Sequence, residues 1–214
     1  DPYAFNPYIH GQQLDLVQFG PSTGNAGNGN LHLAGNAKYS MVRINSLKLS
    51  GPDWVNRGGP LGGGKSQYGL AVDVPVGGNA GIIFTVKKRL DLSEYRGVAV
   101  EISNIGKSYA AIRGQIKAGS KGIQSFCGLY PGETDVLYFI FRRVAAETAP
   151  QHIRDYFGTF KSKCGYPGGF VCEAVSGGEK AMFRKLTVTT SSLNKARGVP
   201  MRFTINRVFE GRIL

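Results

Sequence analysis

The sequence predicts an all-β fold, an antiparallel β-sandwich of the jelly-roll type, on three observations. Short apolar segments with two-residue spacing recur along most of the chain, glycine clusters separate them, and helical periodicity is nearly absent. The 31 glycines lack the three-residue period of collagen, so they read as turns joining many short strands. With 214 residues, 42% of them hydrophobic, the chain is long enough to bury a sizeable core. No internal repeat or linker interrupts it, and residues 1–214 read as a single sandwich domain.

The elements follow in order. Residues 1–40 are rich in Gly, Asn, Pro and Tyr with little periodicity, and read as an extended N-terminal arm or loop, above all Phe19 to Asn36 (FGPSTGNAGNGNLHLAGN). Met41–Leu49 alternates with one phase break, as a bulged strand does. A glycine-rich loop, Gly51–Gly64, carries the single tryptophan, Trp54. Strand signals then recur at Gly69–Val74, Ile82–Val86 and Val98–Ser103, the last with Val98, Val100 and Ile102 inward and Glu101 outward. Ala111–Lys117 turns Ile112 and Ile116 inward and sets Arg113, Gln115 and Lys117 on the opposite face. Val136–Arg142, Lys185–Thr189 and Met201–Val208 complete about eight strands, and only Thr148–Tyr156 has helical character.

Charge narrows the function. Against 26 Lys+Arg stand 14 Asp+Glu, a formal net charge of +12 and a sequence pI of about 9.8. That excess is larger than solubility needs and attracts polyanions: nucleic acid, anionic membrane, or sulfated and uronic polysaccharides. No apolar stretch approaches the ~20 residues of a membrane-spanning helix, so no membrane partner is expected. The chain begins at Asp1 without a signal peptide, which reads as a mature secreted form or an excised module, hence extracellular. Cys127, Cys164 and Cys172 are too few to staple the fold. Cys164 and Cys172 flank a Gly-Tyr-Pro-Gly-Gly turn and are candidates to close one disulfide loop, with Cys127 free; the sequence leaves bonded and unbonded forms equally open.

Several chemistries lack their residues. A retaining hydrolase on such a fold needs two carboxylates close together on one strand, and the nearest approach, Asp91-x-x-Glu94, is better explained as a turn. Gly62–Lys65 (GGGK) lacks the helix that a phosphate loop requires, and no nucleophile elbow is present. A single-domain polysaccharide lyase acting on a uronic-acid polymer stays as an alternative because of the basic face. His10, His32 and His152 nevertheless fall in weakly structured segments, and no Gln-x-His or Arg-Thr-Glu strand motif of the alginate lyases occurs. Basic residues are scattered and no nucleic-acid motif is visible. A viral jelly-roll coat protein shares fold and charge, but there is no arginine-rich arm. No cofactor is expected. A structural calcium ion is an expectation for sandwiches of this kind, held by carboxylates and main-chain oxygens, with no particular acidic residue singled out.

Sugar recognition uses aromatic faces against pyranose rings and planar polar groups that fork onto hydroxyls or sulfates. Residues of that kind are Trp54 with Arg57, Lys65 with Tyr68, Tyr130 and Tyr166 in loops, and the row Arg113, Gln115, Lys117 with Arg142 beside it. Each has a plainer reading. Trp54 can cap one end of the core, Tyr166 can pack on its own Pro-Gly-Gly turn, and the basic row can be a solvated sheet face.

A family resemblance enters at Leu90. Residues 90–103 (LDLSEYRGVAVEIS), then Pro131-Gly132-Glu133-Thr134 before an apolar strand, Gly165-Tyr166-Pro167-Gly168-Gly169, and a closing strand at Arg202–Val208 follow one another in a characteristic order. That order is similar to the non-catalytic sandwich domain preceding the barrel of family 50 glycoside hydrolases, the β-agarases. The resemblance covers roughly residues 80–214 and rests mostly on turns and strands. It implies binding of a marine-type galactan such as agar, porphyran or carrageenan, or of another acidic polysaccharide such as alginate, by a module attached to or cleaved from a glycoside hydrolase or lyase. The catalytic barrel is absent, so agarase activity does not carry over.

Overall fold

The computed structural model describes residues 13–17, 19–21, 29–44, 68–76, 78–92, 97–117, 122–140, 165–166, 169–170, 182–191 and 198–211. They form an antiparallel β-sandwich. One sheet runs in the order β3 (Lys38–Arg43), β4 (Tyr68–Val74), β13 (Met201–Gly211), β6 (Gly97–Asn104), β9 (Thr134–Ile140). Its sixth strand, β1 (Gln13–Val17), continues the edge of β13 that β4 occupies: β4 pairs with residues 201–205 and β1 with 208–211. The second sheet runs β2 (Gly29–Ala34), β5 (Gly81–Asp91), β12 (Met182–Thr190), β7 (Ala110–Lys117), β8 (Gly122–Leu129). A small hairpin of β10 (Gly165–Tyr166) and β11 (Gly169–Phe170) lies beside β8. The chain crosses between the large sheets at β1–β2, β2–β3, β4–β5, β5–β6, β6–β7, β8–β9 and β12–β13, which is the jelly-roll alternation.

Strand alternation places the core. Val98, Val100 and Ile102 on β6, Leu70, Val72 and Val74 on β4, and Phe203 and Ile205 on β13 face Ile82 and Phe84 on β5, Phe183, Leu186 and Val188 on β12, and Ile112 and Ile116 on β7. Full burial of each such side chain contributes about 1.5–3 kcal/mol. Phe84 stacks on Phe183 with ring centroids 6.5 Å apart. The Phe139 ring fills the space over Gly114, where an added Cβ would lie 2.5 Å from Phe139 Cζ and 2.9 Å from Leu137 Cδ1. Gly81 brings β5 so close to the Val188 carbonyl and Thr189 Cα of β12 that no side chain fits there.

Each predicted strand has a counterpart, with shifts at the ends: Ile82–Val86 belongs to the longer β5, and Met41–Leu49 overlaps β3, which ends at Arg43. The remainder of that segment and Thr148–Tyr156 lie outside the described residues. Two readings differ. The span 1–40, read as an arm or loop, contains β1, β2 and the start of β3, with β2 paired along its length to β5. β8 was not anticipated, because its inward positions include the buried Ser125 while Phe126 faces outward, so its apolar residues do not alternate cleanly.

The two outer faces differ. On the six-stranded sheet the outward residues Glu101, Ser103, Thr134, Thr204 and Arg207, together with Asn206 at the β13 bulge, are all less than a tenth exposed. They bond among themselves: Ser103 Oγ and Thr134 Oγ1 are 2.6 Å apart, and Asn206 Nδ2 donates to Ser103 Oγ at 2.7 Å. Towards the β3 edge the same face carries the exposed Lys38 and the half-accessible ion pair of Arg202 with Asp73, 3.0 Å apart. The outer face of the five-stranded sheet is accessible to solvent: Asn30, His32, Lys117, Gln124 and Gly128 are exposed there.

Candidate functional site

Cross-strand register orders the accessible face into rows. Reading β2, β5, β12, β7, β8, one row is Ala34, Gly81, Thr189, Arg113, Phe126; the next is His32, Ile83, Thr187, Gln115, Gln124; the third is Asn30, Thr85, Lys185, Lys117, Gly122. Above the first row Ser191, whose N–H donates to the Ala111 carbonyl, stands beside Ala111 and Gly128. Rows are separated by two residues of strand, about 7 Å.

The upper end has a floor of small residues, Ala34, Gly81, Ala111 and Gly128, with two buried hydroxyls. Thr189 Oγ1 and Ser191 Oγ belong to residues 3% and 8% exposed and have no hydrogen-bond partner among the described residues. A buried hydroxyl without a partner costs about 1–3 kcal/mol, and Asn206 Oδ1 in the polar layer of the other sheet is in the same position. Tyr109 lies across Gly128, its hydroxyl end occupying the space a Cβ would take. Its ring meets that of Tyr130 edge-on, centroids 5.1 Å apart, and Tyr130 is 64% exposed.

Two turns hold this aromatic pair. Tyr130-Pro131-Gly132-Glu133 has proline second and Gly132 third with φ 87°, closed by Glu133 N–H donating to the Tyr130 carbonyl at 3.1 Å, as in a type II turn. The Glu133 carboxylate accepts from the Tyr130 N–H at 2.7 Å. Asn104, fully buried, donates from Nδ2 to the carbonyls of Ser108 and Leu129, each at 2.9 Å, and its Oδ1 accepts from Gly106 N–H at 2.9 Å. One side chain thus ties the β6–β7 turn to the end of β8.

Charge is divided between the sheets. The strands of the five-stranded sheet carry seven Lys and Arg and one carboxylate, Asp91. Those of the six-stranded sheet carry four Lys and Arg and five carboxylates. The accessible face is therefore the cationic one.

Of the sequence candidates, Arg113, Gln115 and Lys117 stand in one outward line on β7, and Tyr130 lies at the upper end of the same face. Tyr68 is elsewhere: it lies on β4 in the other sheet, half-buried against the core, with the Arg43 guanidinium 5.7 Å from its ring centre. Its loop assignment is corrected, because Tyr68 begins a central strand and its ring covers core residues. Trp54, Arg57, Lys65, Arg142, Cys164 and Cys172 lie outside the described residues, as does the side chain of Tyr166. Cys127 is free and buried; burial, reinforced by the charge of Asp135, pushes its thiol well above the ordinary range. Among the described residues no group of three or more His, Cys, Asp or Glu side chains could hold a metal ion, and no helix is long and apolar enough to cross a membrane. Sequence reasoning missed Tyr109, Thr189 and Ser191. Their signal exists only after pairing, when β7, β8 and β12 bring separate small residues into one floor.

No family model and no curated protein matches the sequence. Solved structures are similar in fold. The chain superposes on an exo-β-agarase with a TM-score of 0.57 at 11% identity, over 92% of this chain and 25% of that one. A second agarase gives 0.52 at 8% identity, over 94% and 25%. A family 11 carbohydrate-binding module from Clostridium thermocellum, in complex with a β-1,3-1,4-mixed-linked tetrasaccharide, gives 0.45 at 13% identity, over 92% and 96%. The chain thus spans about a quarter of each agarase. At these identities the likeness is one of fold: the chain shares a β-sandwich with a quarter of each agarase, as the resemblance around Leu90 implies.

Proposed function

We propose that this chain is a non-catalytic, secreted carbohydrate-binding module that holds an acidic or sulfated polysaccharide on the outer face of its five-stranded sheet, as one part of a larger carbohydrate-active enzyme. The observation that carries the reading is the upper end of that face. The exposed Tyr130, edge-on to the half-buried Tyr109, and Arg113 stand over a floor of small residues. A pyranose ring offers the complement: an apolar face for Tyr130 and an anionic substituent for the Arg113 fork. The shared fold of the agarases supports this reading without assigning the ligand.

Titration calorimetry against agarose oligosaccharides, porphyran, carrageenan and alginate tests it, run beside an assay for unsaturated uronate and new reducing ends. Binding without product is expected, with Tyr130→Ala and Arg113→Ala each weakening it roughly tenfold, about 1.4 kcal/mol. Absence of binding to all four polymers refutes the reading, and steady product release replaces it with the lyase.

A further inference from the structure

The lower end of the same sheet holds a cationic cluster that sugar stacking does not explain. Between Leu90, opposite Phe183, and Thr85, opposite Lys185, four residues of β5 stand against the single Arg184 of β12. Those four are Val86, Lys87, Lys88 and Arg89, and the three cations are exposed, as is Arg184. Such a slip bends the strand out of the ladder and re-aims its side chains. Next to it Lys185 and Lys117 are direct cross-strand partners, an arrangement in which like charges repel. Asp91 closes β5 on the far side of the bulge and is the only carboxylate on the strands of this sheet. A fold indifferent to charge has no reason to set six cations around one strand irregularity.

We infer that the bulged end of the five-stranded sheet, Lys87, Lys88, Arg89 and Arg184 with Lys185 and Lys117 leading into it, is a second subsite that takes the anionic groups of the bound polysaccharide. This rests on the carbohydrate reading above and adds a division of labour to it. The sugar ring is held at the tyrosine end. The sulfate or carboxylate of a residue further along the chain is held at the bulge, Lys185 being four strand residues, about 13 Å, from Thr189. Sulfate esters and uronate carboxylates share the recognised chemistry, an exposed anionic oxygen group, and lysine and arginine heads on flexible stems suit a row of such groups better than one fixed geometry. Continuity with the small-residue floor favours a polysaccharide over nucleic acid, whose bases would need further aromatic platforms.

The test uses the whole chain with Lys87, Lys88, Arg89 and Arg184 all replaced by Gln, folding being checked by circular dichroism and melting temperature. Binding is measured to neutral agarose, sulfated carrageenan, alginate and a single-stranded oligonucleotide at low and high salt. The variant is expected to lose about tenfold in affinity for the sulfated or the uronate polymer, with a flatter salt dependence, and to keep its affinity for agarose. Whichever of the two charged polymers responds identifies the source of the anion. Equal loss on agarose, or no loss on either charged polymer, overturns the subsite while the carbohydrate reading stands. A parent protein that binds no polysaccharide ends both. Tighter binding of the oligonucleotide than of any polysaccharide, lost in the variant, assigns the cluster to nucleic acid instead.

Discussion

Replacing Asn104 by alanine should be among the most damaging single substitutions outside the apolar core. The side chain is fully buried at the end of β6 and makes three hydrogen bonds of 2.9 Å, to the Ser108 and Leu129 carbonyls and from the Gly106 N–H. Its backbone adds two more across the same junction, donating to the Glu133 carbonyl at 2.9 Å and accepting from Gly132 N–H at 2.8 Å. Alanine keeps the backbone bonds and abandons three buried polar groups. Each costs about 1–3 kcal/mol if it stays dry and less if water reaches it. The Ser108 and Gly106 contacts are only part-buried, so those two are partly repaired by solvent, whereas the Leu129 bond is fully buried. The expected loss is about 3 kcal/mol. With a urea slope of about 2 kcal/mol/M, the unfolding midpoint should fall by about 1.5 M at unchanged slope. Asn104→Asp retains the acceptor for Gly106 but aims a carboxylate oxygen at two carbonyls, and should be no better than alanine. Both variants should also bind ligand more weakly, since Asn104 fixes the turns that carry Tyr109 and Tyr130. A loss below 1 kcal/mol for both would show that these turns are held by other contacts, and the positioning role of Asn104 would be wrong.

Two further outcomes follow from single residues. Gly128→Val puts a side chain where the Tyr109 hydroxyl lies; that flexible end can swing away, so affinity should drop several-fold while the urea midpoint moves little, as calorimetry and unfolding on one preparation would show. Cys127 should resist alkylation in the native protein at neutral pH, checked by mass mapping of labelled peptides. Because its folded pKa is raised, its contribution to stability is complete below the unfolded thiol's value of about 8.5 and is lost as pH rises above it. The stability gap between the parent and Cys127→Ala should therefore narrow in alkaline solution, and a constant gap would contradict the shift.

The strands legible in the sequence are those whose inward residues are all aliphatic or aromatic, such as Val98, Val100 and Ile102 on β6 or Leu70, Val72 and Val74 on β4. Alternation fails where a polar residue turns inward or an aromatic turns outward, and β8 does both with Ser125 and Phe126. Glycine misled in another way. Counted as punctuation, it marks the turn at Gly132 correctly, but Gly29, Gly114 and Gly128 sit inside strands, where the missing side chain admits the rings of Phe84, Phe139 and Tyr109. That explains why β2, opening on Gly29, reads as loop. The outward line Arg113, Gln115, Lys117 was visible because one strand carries it. The hydroxyls of Thr189 and Ser191 were not, because their isolation depends on what β5 and β7 place beside them.

The distribution of charge bears on whether the net +12 is a general surface property or a device. Excess charge that serves only to keep molecules apart has no preference for one sheet, and in a sandwich it would fall on both. Here the strands of the six-stranded sheet are close to neutral, and their outward Glu101 and Arg207 are buried in a polar layer that includes Ser103, Thr134 and Asn206. The cations gather on the sheet whose outer side solvent reaches, at Arg113 and Lys117 of β7 and around the β5 bulge. Repulsion among them is a standing cost that alternating Glu and Lys would remove at no loss of solubility. On the proposed function, a ligand that brings negative charge to this face would offset that cost. A polysaccharide with both neutral and anionic residues would meet that requirement along one direction, its rings at the tyrosine end and its charge at the bulged end, as proposed above.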